Sequence, residues 1–294
     1  MWVEDRLDLP PAAFHPSPAA PLDCFGPLAR LPAAPRQAGL WEAPSPHPAA
    51  GDRMQVIVGP AEGPTRGVVI LVPPWKISRA RLVAGWERLL RDAGYEVWLA
   101  VPPAHMGRTP PGQRSGEPFV SPDLALLRRS VEQQVLELRV LGALARARRE
   151  PAALIGLSLG GLGAALAATT PEAPPSVALV AAPLDLAAII GRTRIGRRYR
   201  RLAERAGAPL PSPEALAALL APFDPGLRPL ASRRAFVAIG RHDGITTRRA
   251  SLPVLHGWGI LPQAYPRGHL TLLFACREVR EDLLRFLGEG GPRA

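Results

Sequence analysis

The chain has 294 residues, which suits one large domain or two small ones, because single cores commonly stop growing at about 250 to 300 residues. Hydrophobic residues make up 47% and charged residues 21%, which excludes wholesale disorder and a coiled coil. The formal charge of +11 would suit nucleic acid or an anionic membrane. However, the basic residues of the chain are almost all arginine, and the chain is also rich in Ala, Pro and Gly. A GC-rich genome produces such a composition, so the charge is weak evidence for an anionic partner. We therefore expect no nucleic-acid partner.

The beginning of the chain is rich in proline and has no periodic apolar segment. Residues 1–52 contain 11 of the 36 prolines. Four aromatic residues, Trp2, Phe14, Phe25 and Trp41, are spread through this region. We therefore expect an extended N-terminal arm that packs aromatic side chains on the body of the protein. A disordered tail is the alternative for its first 20 residues.

The cysteines and the first residues of the chain indicate the cellular compartment in which the protein is expected. Cys24 and Cys276 are isolated and lack metal-ligand spacing, which suits a reducing compartment. The chain begins with acidic residues and prolines rather than a basic start and an apolar run, so no secretory signal is visible and we predict a cytoplasmic protein. No P-loop, dinucleotide glycine motif or metal constellation is apparent, so no cofactor is implied.

From about residue 54 the pattern alternates between strand and helix signals. Strands are predicted at 56–58, 68–72, 95–101, 154–157, 177–181, 235–239 and near 264, and helices at 79–93, 123–148, 159–168, 246–256 and 270–287. Strands separated by such helices pair in parallel, since each crossover needs that length to return to the same edge. The sequence predicts an α/β core made of residues 53–182 and 233–294, with a mostly parallel sheet between two helical layers.

Residues 152–170 raise a membrane alternative, because they carry no charge over about the length that spans a bilayer. Gly156 and Gly160 even form the GxxxG pattern of membrane helices. The hydrophobicity is modest and rests on alanine, however, and a buried strand followed by a buried helix explains the same letters. We favour the strand and helix.

The alternation breaks over residues 183–232, which we interpret as a helical cap inserted after a strand. The insert is apolar at both ends, has a helix signal at 213–220 and holds a basic cluster, formed by Arg192, Arg194, Arg197, Arg198, Arg200 and Arg201. We hypothesise that the cluster contacts an anionic head group or an anionic membrane surface. A solvated basic helix is the alternative interpretation.

The motif with chemical content is the run Gly156-Leu157-Ser158-Leu159-Gly160, placed between a predicted apolar strand and an alanine-rich helix. A sharp strand-to-helix turn strains the serine backbone and leaves no room for neighbouring Cβ atoms, which explains the two glycines. The turn points the serine oxygen toward a helix N-terminus, where N–H groups favour developing negative charge. In this context the chain resembles the α/β-hydrolase superfamily over about residues 54–288.

The resemblance implies an α/β-hydrolase fold and a triad in the chain order nucleophile, acid, base. Ser158 is then the nucleophile, Asp243 follows the strand after the cap as the acid, and His269 precedes the last helix as the base. Asp185, which follows the preceding strand, is a rival acid. The remaining histidines considered as the base are less well placed, namely His105, His242 and His256.

For the oxyanion hole, relatives often carry His-Gly where this chain has Pro73-Pro74-Trp75-Lys76. Proline has no N–H to donate. The resemblance therefore implies the backbone N–H of Trp75, or failing that Lys76, together with that of Leu159. The loop at 102–109, which contains His105, is expected to rim the pocket.

A serine nucleophile favours acyl chemistry, and the apolar ends of the cap suit an aliphatic acyl chain. We predict a serine hydrolase that cleaves a small or lipid-like carboxylic acyl ester. The alternatives are an acyltransferase with a non-water acceptor and a non-catalytic binding protein on the same fold. Acyl length, leaving group and oligomeric state are left open by the residues.

Overall fold

The computed structural model describes residues 22–28, 31–47, 52–120, 124–148, 152–193, 196–197, 200–201, 204 and 211–289. Within this part of the chain, eight strands form one sheet. The strands are β1 (Gly39–Pro44), β2 (Arg53–Gly59), β3 (Val68–Val72), β4 (Glu96–Val101), β5 (Ala152–Leu157), β6 (Ser176–Val180), β7 (Arg234–Gly240) and β8 (Gln263–Tyr265).

The strand order is β1-β2-β4-β3-β5-β6-β7-β8. β1 and β2 run antiparallel, β2 runs antiparallel to β4, and every pairing from β4 to β8 is parallel. The carboxyl ends of β3, β5, β6, β7 and β8 therefore meet at one edge of the sheet, where loops gather side chains from distant parts of the sequence.

The helices between the strands cover both faces of the sheet. They are α1 (Ala84–Asp92), α2 (Leu124–Ala147), α3 (Leu159–Ala167), α4 (Leu186–Arg192), α5 (Pro213–Leu220), α6 (Arg248–Gly257), α7 (His269–Ala275) and α8 (Arg277–Gly288). Side chains of α2, α3 and α6 pack on one face, whereas α1, α7 and α8 pack on the other. The predicted α/β architecture, with a mostly parallel sheet and helices on both faces, is confirmed.

The central strands are buried on both faces, which explains why they read as continuous apolar runs. In β3, Val68, Ile70 and Val72 face one core, whereas Val69 and Leu71 face the other, and none is more than 1% exposed. Parallel sheets covered by helices on both sides require this composition.

The N-terminal arm contains a strand that the sequence did not predict. β1 pairs along its whole length with β2, although only Ala43 in it is buried and Leu40 is 61% exposed. The pairing of this edge strand uses backbone groups and needs no apolar pattern, so periodicity could not reveal it. Within β1, Trp41 lies half-buried against the core. Elsewhere in the arm, the centre of the Phe25 ring lies 3.7 Å from Cζ of the Arg228 guanidinium. Trp2 and Phe14 lie outside the described residues.

The predicted closing helix at 270–287 is wrong as a single element. The chain leaves the helix at Cys276, whose φ of −101° and ψ of 105° are extended, and α8 starts at the next residue. The change of direction lets Leu272 and Leu273 of α7 and the Val279, Leu283 and Leu287 stripe of α8 all enter the same core.

The segment 152–170 divides into β5 and α3, so the membrane alternative for it is wrong. No helix among the described residues is long and apolar enough to cross a membrane. In the predicted cap, 183–232, the structure describes α4 and α5 together with two 3-10 turns at Ala221–Phe223 and Pro225–Leu227. Their apolar faces meet α2 and α3 in a third buried cluster.

Candidate active site

Ser158 lies at the sharp turn between β5 and α3, with φ of 48° and ψ of −121°. Its backbone N–H donates to the Val180 carbonyl at 2.9 Å, which anchors the turn to the neighbouring strand β6. A Cβ on Gly156 would lie 2.5 Å from the Gly161 Cα, and one on Gly160 would lie 2.5 Å from the Val72 carbonyl oxygen. Both glycines of the motif are therefore required by close backbone approaches.

The loops that follow β7 and β8 are joined by backbone hydrogen bonds. The N–H of Arg241 donates to the Tyr265 carbonyl at 2.8 Å, and that of His242 donates to the Arg267 carbonyl at 3.1 Å. Gly240 permits this approach, since a Cβ there would lie 2.5 Å from the Arg267 carbonyl oxygen. The two loops thus hold Asp243 and His269 next to each other.

The structure brings Ser158, His269 and Asp243 into one hydrogen-bonded chain. Ser158 Oγ lies 2.8 Å from His269 Nε2, and His269 Nδ1 lies 2.8 Å from Asp243 Oδ2. The Asp243 side chain is fully buried and that of His269 is 8% exposed. Because Nδ1 faces a carboxylate, it carries a proton, and Nε2 is left as the acceptor for the serine hydroxyl.

Asp243 is held as a carboxylate by the donors around it. Burial raises the pKa of the Asp243 carboxyl, but hydrogen bonds from His269, Thr246 and the Ile245 backbone outweigh burial and hold that pKa below its ordinary value. The Ile245 and Thr246 N–H groups donate to Oδ1 at 2.8 and 2.9 Å. A negative charge beside the imidazole is therefore available to stabilise its protonated form.

The rival acid, Asp185, is placed differently. Its Oδ1 accepts a hydrogen bond from the Ala188 N–H at 2.8 Å, which makes it the N-cap of α4. Of the other histidines, His242 and His256 are exposed. His105 is 1% exposed, and its ring lies against Phe119 with Nδ1 2.8 Å from the Pro103 carbonyl oxygen. The partner of His269 is thus Asp243.

The two segments predicted to form the oxyanion hole face each other. Trp75 is in the turn after β3, and Leu159 is the first residue of α3. A Cβ on Gly160 would lie 2.5 Å from the Pro73 carbonyl oxygen, so the first turn of α3 lies directly against the Trp75 loop. The assignment of the Trp75, or alternatively Lys76, and Leu159 N–H groups as oxyanion donors stays a prediction.

The Trp75 loop is braced by residues that the sequence did not single out. Trp75 Nε1 donates to the Gly116 carbonyl at 2.6 Å, and Ser115 Oγ donates to the Ile77 carbonyl at 2.6 Å. Ser115 Oγ also accepts from the Met106 N–H at 3.0 Å, which ties the loop at 102–109 to the same brace. These are long-range contacts of a Pro/Gly-rich loop, so no periodicity or spacing in the sequence could have shown them.

A cleft of about 540 Å³ lies between α4 and α5. Apolar side chains, including Leu186, Leu216 and Leu220, line it together with the charged residues Arg192, Asp185 and Asp224. Leu159, the residue next to Ser158, packs in the same apolar cluster as Leu216 and Leu220. The residues that line the cleft come from α4, from α5 and from the ends of these helices, and they do not include Ser158, Leu159 or His269.

The basic cluster of the predicted cap lies partly outside the described residues, which omit Arg194 and Arg198. Arg192, Arg197 and Arg201 are exposed. Arg200 is half-buried and donates to the Gly191 carbonyl at 2.8 Å, which closes it against the end of α4. Contact with an anionic membrane through this cluster stays a prediction. Among the described residues, no group of three His, Cys, Asp or Glu side chains is arranged to hold a metal ion.

No protein-family model and no curated protein matches the chain in sequence. Solved structures match it in three dimensions. TT1662 from Thermus thermophilus is 18% identical with a TM-score of 0.59, and the match covers 82% of this chain and 95% of that one. The α/β hydrolase GrgF from Penicillium sp. sh18 is 16% identical with a TM-score of 0.58, over 86% of this chain and 98% of that one.

A monoacylglycerol lipase from Paleococcus ferrophilus is also similar, at 19% identity and a TM-score of 0.51, with 80% of this chain and 97% of that one covered. These likenesses, together with the serine turn at the carboxyl edge of a mostly parallel sheet, define the class of fold. The chain has the α/β-hydrolase fold, as its resemblance to that superfamily implied.

Proposed function

We propose that this chain is a serine hydrolase that cleaves a carboxylic acyl ester through an acyl-enzyme intermediate. The observation that carries the proposal is the unbroken hydrogen-bonded chain from Ser158 Oγ through His269 to Asp243 Oδ2, with 2.8 Å at each of its two steps. A serine hydroxyl is a weak nucleophile at neutral pH and becomes reactive when a base accepts its proton.

In the first half of the proposed reaction, Ser158 Oγ bonds to the ester carbonyl carbon while its proton moves to His269 Nε2. The carbonyl oxygen takes up the electron pair, and N–H groups at the α3 N-terminus and on the Trp75 loop stabilise that charge. When the tetrahedral intermediate collapses, the bond from carbon to the alcohol oxygen breaks. His269 returns the proton to the leaving alcohol, and the acyl group stays on Ser158.

In the second half, a water molecule takes the place of the alcohol. His269 accepts a proton from water as the water oxygen bonds to the acyl carbon, and the Ser158 ester bond breaks. Ser158 Oγ then regains its proton from His269, and the acid product leaves. Asp243 stays ionised throughout, keeps the proton on Nδ1 and stabilises the transient imidazolium.

We propose the cleft between α4 and α5 as the place of an aliphatic acyl group, because α4 follows β6 at the edge of the sheet where Ser158 lies. The cleft volume of about 540 Å³ is in the range of small-molecule sites, and its apolar side chains would exclude water from a hydrocarbon chain. The structural likeness to a protein named monoacylglycerol lipase supports the same substrate class.

The direct test is hydrolysis of p-nitrophenyl esters of increasing acyl length. We expect turnover by the wild-type chain and a loss of at least about a thousandfold in kcat for Ser158→Ala and for His269→Ala. The variant Ser212→Ala, which removes only the N-cap of α5, is a matched serine control and should retain turnover. Equal activity of wild type and Ser158→Ala would contradict the proposal.

The same assay with an added alcohol or amine separates hydrolysis from acyl transfer. Release of free acid at an unchanged rate supports the hydrolase. Formation of a new ester or amide in place of the acid would favour the acyltransferase alternative. Absence of any turnover, together with tight binding of an acyl ester, would favour a non-catalytic binding protein.

A further inference from the structure

Thr246 is a buried residue three positions after Asp243, 3% exposed, and the sequence motifs do not include it. Its side-chain oxygen lies 2.6 Å from Asp243 Oδ2. The same carboxylate oxygen lies 2.8 Å from His269 Nδ1. One oxygen of Asp243 therefore accepts hydrogen bonds from both the imidazole and the threonine hydroxyl.

The direction of these hydrogen bonds follows from the chemistry of the groups. An ionised carboxylate can only accept, so Thr246 Oγ1 donates its single proton to Asp243 Oδ2. Thr246 Oγ1 also lies 3.3 Å from His269 Nδ1, and with its proton already used it can only accept there. The hydroxyl thus touches both members of the pair, whereas the Thr246 backbone N–H holds the other oxygen, Oδ1.

We propose that Thr246 is a positioning residue, whose hydroxyl fixes Asp243 Oδ2 in line with His269 and withdraws charge from that oxygen. The inference rests on the proposed function. Four donors surround the carboxylate, two backbone N–H groups on Oδ1 and the Thr246 and His269 side chains on Oδ2. Removal of the hydroxyl leaves Oδ2 a freer and stronger acceptor, so it holds protonated His269 too tightly and its orientation is less well defined.

The test compares Thr246→Val, which keeps the shape and removes the hydroxyl, with Thr246→Ser, which keeps the hydroxyl. For Thr246→Val we expect a loss of about tenfold in kcat with little change in KM, the size of one hydrogen bond to a charged group. We also expect the acid limb of the pH profile of kcat/KM to move up by about half a pH unit. Thr246→Ser should recover both values to within about threefold.

Thr247→Val is the matched control, since Thr247 is the N-cap of α6 and its side chain makes no capping hydrogen bond. It should leave the pH profile unchanged. The ionisable neighbours on the two loops are the same in every variant. Arg241 and His242 are exposed, and Arg267 pairs with Glu278 at 3.1 Å. Across the site, the Asp185 carboxylate is engaged as the cap of α4.

A second readout does not depend on turnover. The proton on His269 Nδ1 should give a downfield resonance in the proton NMR spectrum, assigned by its loss in His269→Ala. In Thr246→Val we expect this resonance to move further downfield, because the freer carboxylate oxygen attracts the proton more strongly. If wild type hydrolyses no ester, the proposed function fails, but the NMR comparison still tests Thr246.

Unchanged resonance and an unchanged acid limb in Thr246→Val would overturn the proposal, even if activity fell through lost stability. A loss in Thr246→Ser as large as in Thr246→Val would also overturn it, because packing rather than the hydroxyl would then be the cause.

Discussion

Backbone strain is concentrated at the edge of the sheet where the candidate site lies. Among the described residues, five that are not glycine have a positive φ, and each follows the carboxyl end of β3, β4, β5 or β6. They are Lys76, Ala104, Met106, Ser158 and Ala181. Such conformations each cost about 1–3 kcal/mol and persist only where the surroundings enforce them. The loops that bear Ser158 and the Trp75 turn are held in place by the rest of the fold.

His105 illustrates how a buried histidine at this edge differs from a catalytic one. Nδ1 carries the proton, since it faces the Pro103 carbonyl, and Nε2 has no hydrogen-bond partner among the described residues. The pKa of His105 is lowered to about 4. Burial is the main cause and the charge of Arg108 adds to it, whereas the hydrogen bond to the Pro103 carbonyl acts in the opposite direction. A cation at Nε2 would have no acceptor, so His105 is neutral and structural near neutral pH.

From the lowered pKa of His105 we predict how the free energy of unfolding changes with pH. In the unfolded chain the imidazole binds a proton near pH 6.5, whereas in the folded chain it does so near pH 4. The unfolded state therefore gains protons first as the pH falls, and the free energy of unfolding decreases across this window. The loss reaches about 3 kcal/mol at its lower end.

Urea unfolding near pH 7 and near pH 4.5 checks this prediction. His105→Asn keeps a donor for Pro103 and should lose less of its free energy of unfolding on acidification than the wild type. His256→Asn, at an exposed position, should behave like the wild type. Equal acid sensitivity of wild type and His105→Asn would show that His105 is not the source.

At the level of elements, the serine turn depends on the close packing of α3 against β3. Gly160→Ala would place a Cβ 2.5 Å from the carbonyl oxygens of both Val72 and Pro73. These are backbone atoms that cannot rotate away, so the clash outweighs the helix propensity that alanine adds. We expect a loss of about 2–3 kcal/mol in the free energy of unfolding, measured by denaturant unfolding.

Gly257→Ala is the matched control for that measurement. It changes a glycine at the end of α6 with open space around it and no positive φ. Its stability should stay within about 0.5 kcal/mol of the wild type. A Gly160→Ala chain as stable as the Gly257→Ala chain would contradict the packing described for the turn.

How far the elements could be predicted from the sequence depends on what holds each one. The buried strands β3, β5 and β6 and the long helix α2 carry their own apolar patterns, and their prediction was within a few residues. β1 could not be predicted because it pairs mainly through its backbone and its largely exposed residues carry no apolar alternation. The break at Cys276 could not be predicted either, because tertiary packing of α7 and α8 decides it.

Some residues of the candidate site could likewise be predicted from the sequence, and others could not. Ser158, Asp243 and His269 were predicted because strand ends and motif order mark them in the sequence. Thr246 and the Ser115-Gly116 brace were missed, because their meaning lies in contacts between loops that are distant from any motif.

Over the whole molecule, the topology explains why residues far apart in the chain meet. Ser158 follows β5, Asp243 follows β7 and His269 follows β8, and these strands lie within a run of four parallel neighbours. All three residues therefore emerge at the same edge of the sheet. The strand order alone explains why these residues meet, and the formal charge of +11 plays no part in that explanation.

The most direct test of the account is the site and rate of labelling by a fluorophosphonate, followed by peptide mass mapping. We predict a single adduct on Ser158 of the folded wild-type chain and none in Ser158→Ala. Asp243→Asn should slow labelling by about a thousandfold or more. Asp185→Asn should label within a few-fold of the wild-type rate, since asparagine also caps α4. No adduct on Ser158 in the folded chain, or labelling of Asp243→Asn at the wild-type rate, would contradict the account.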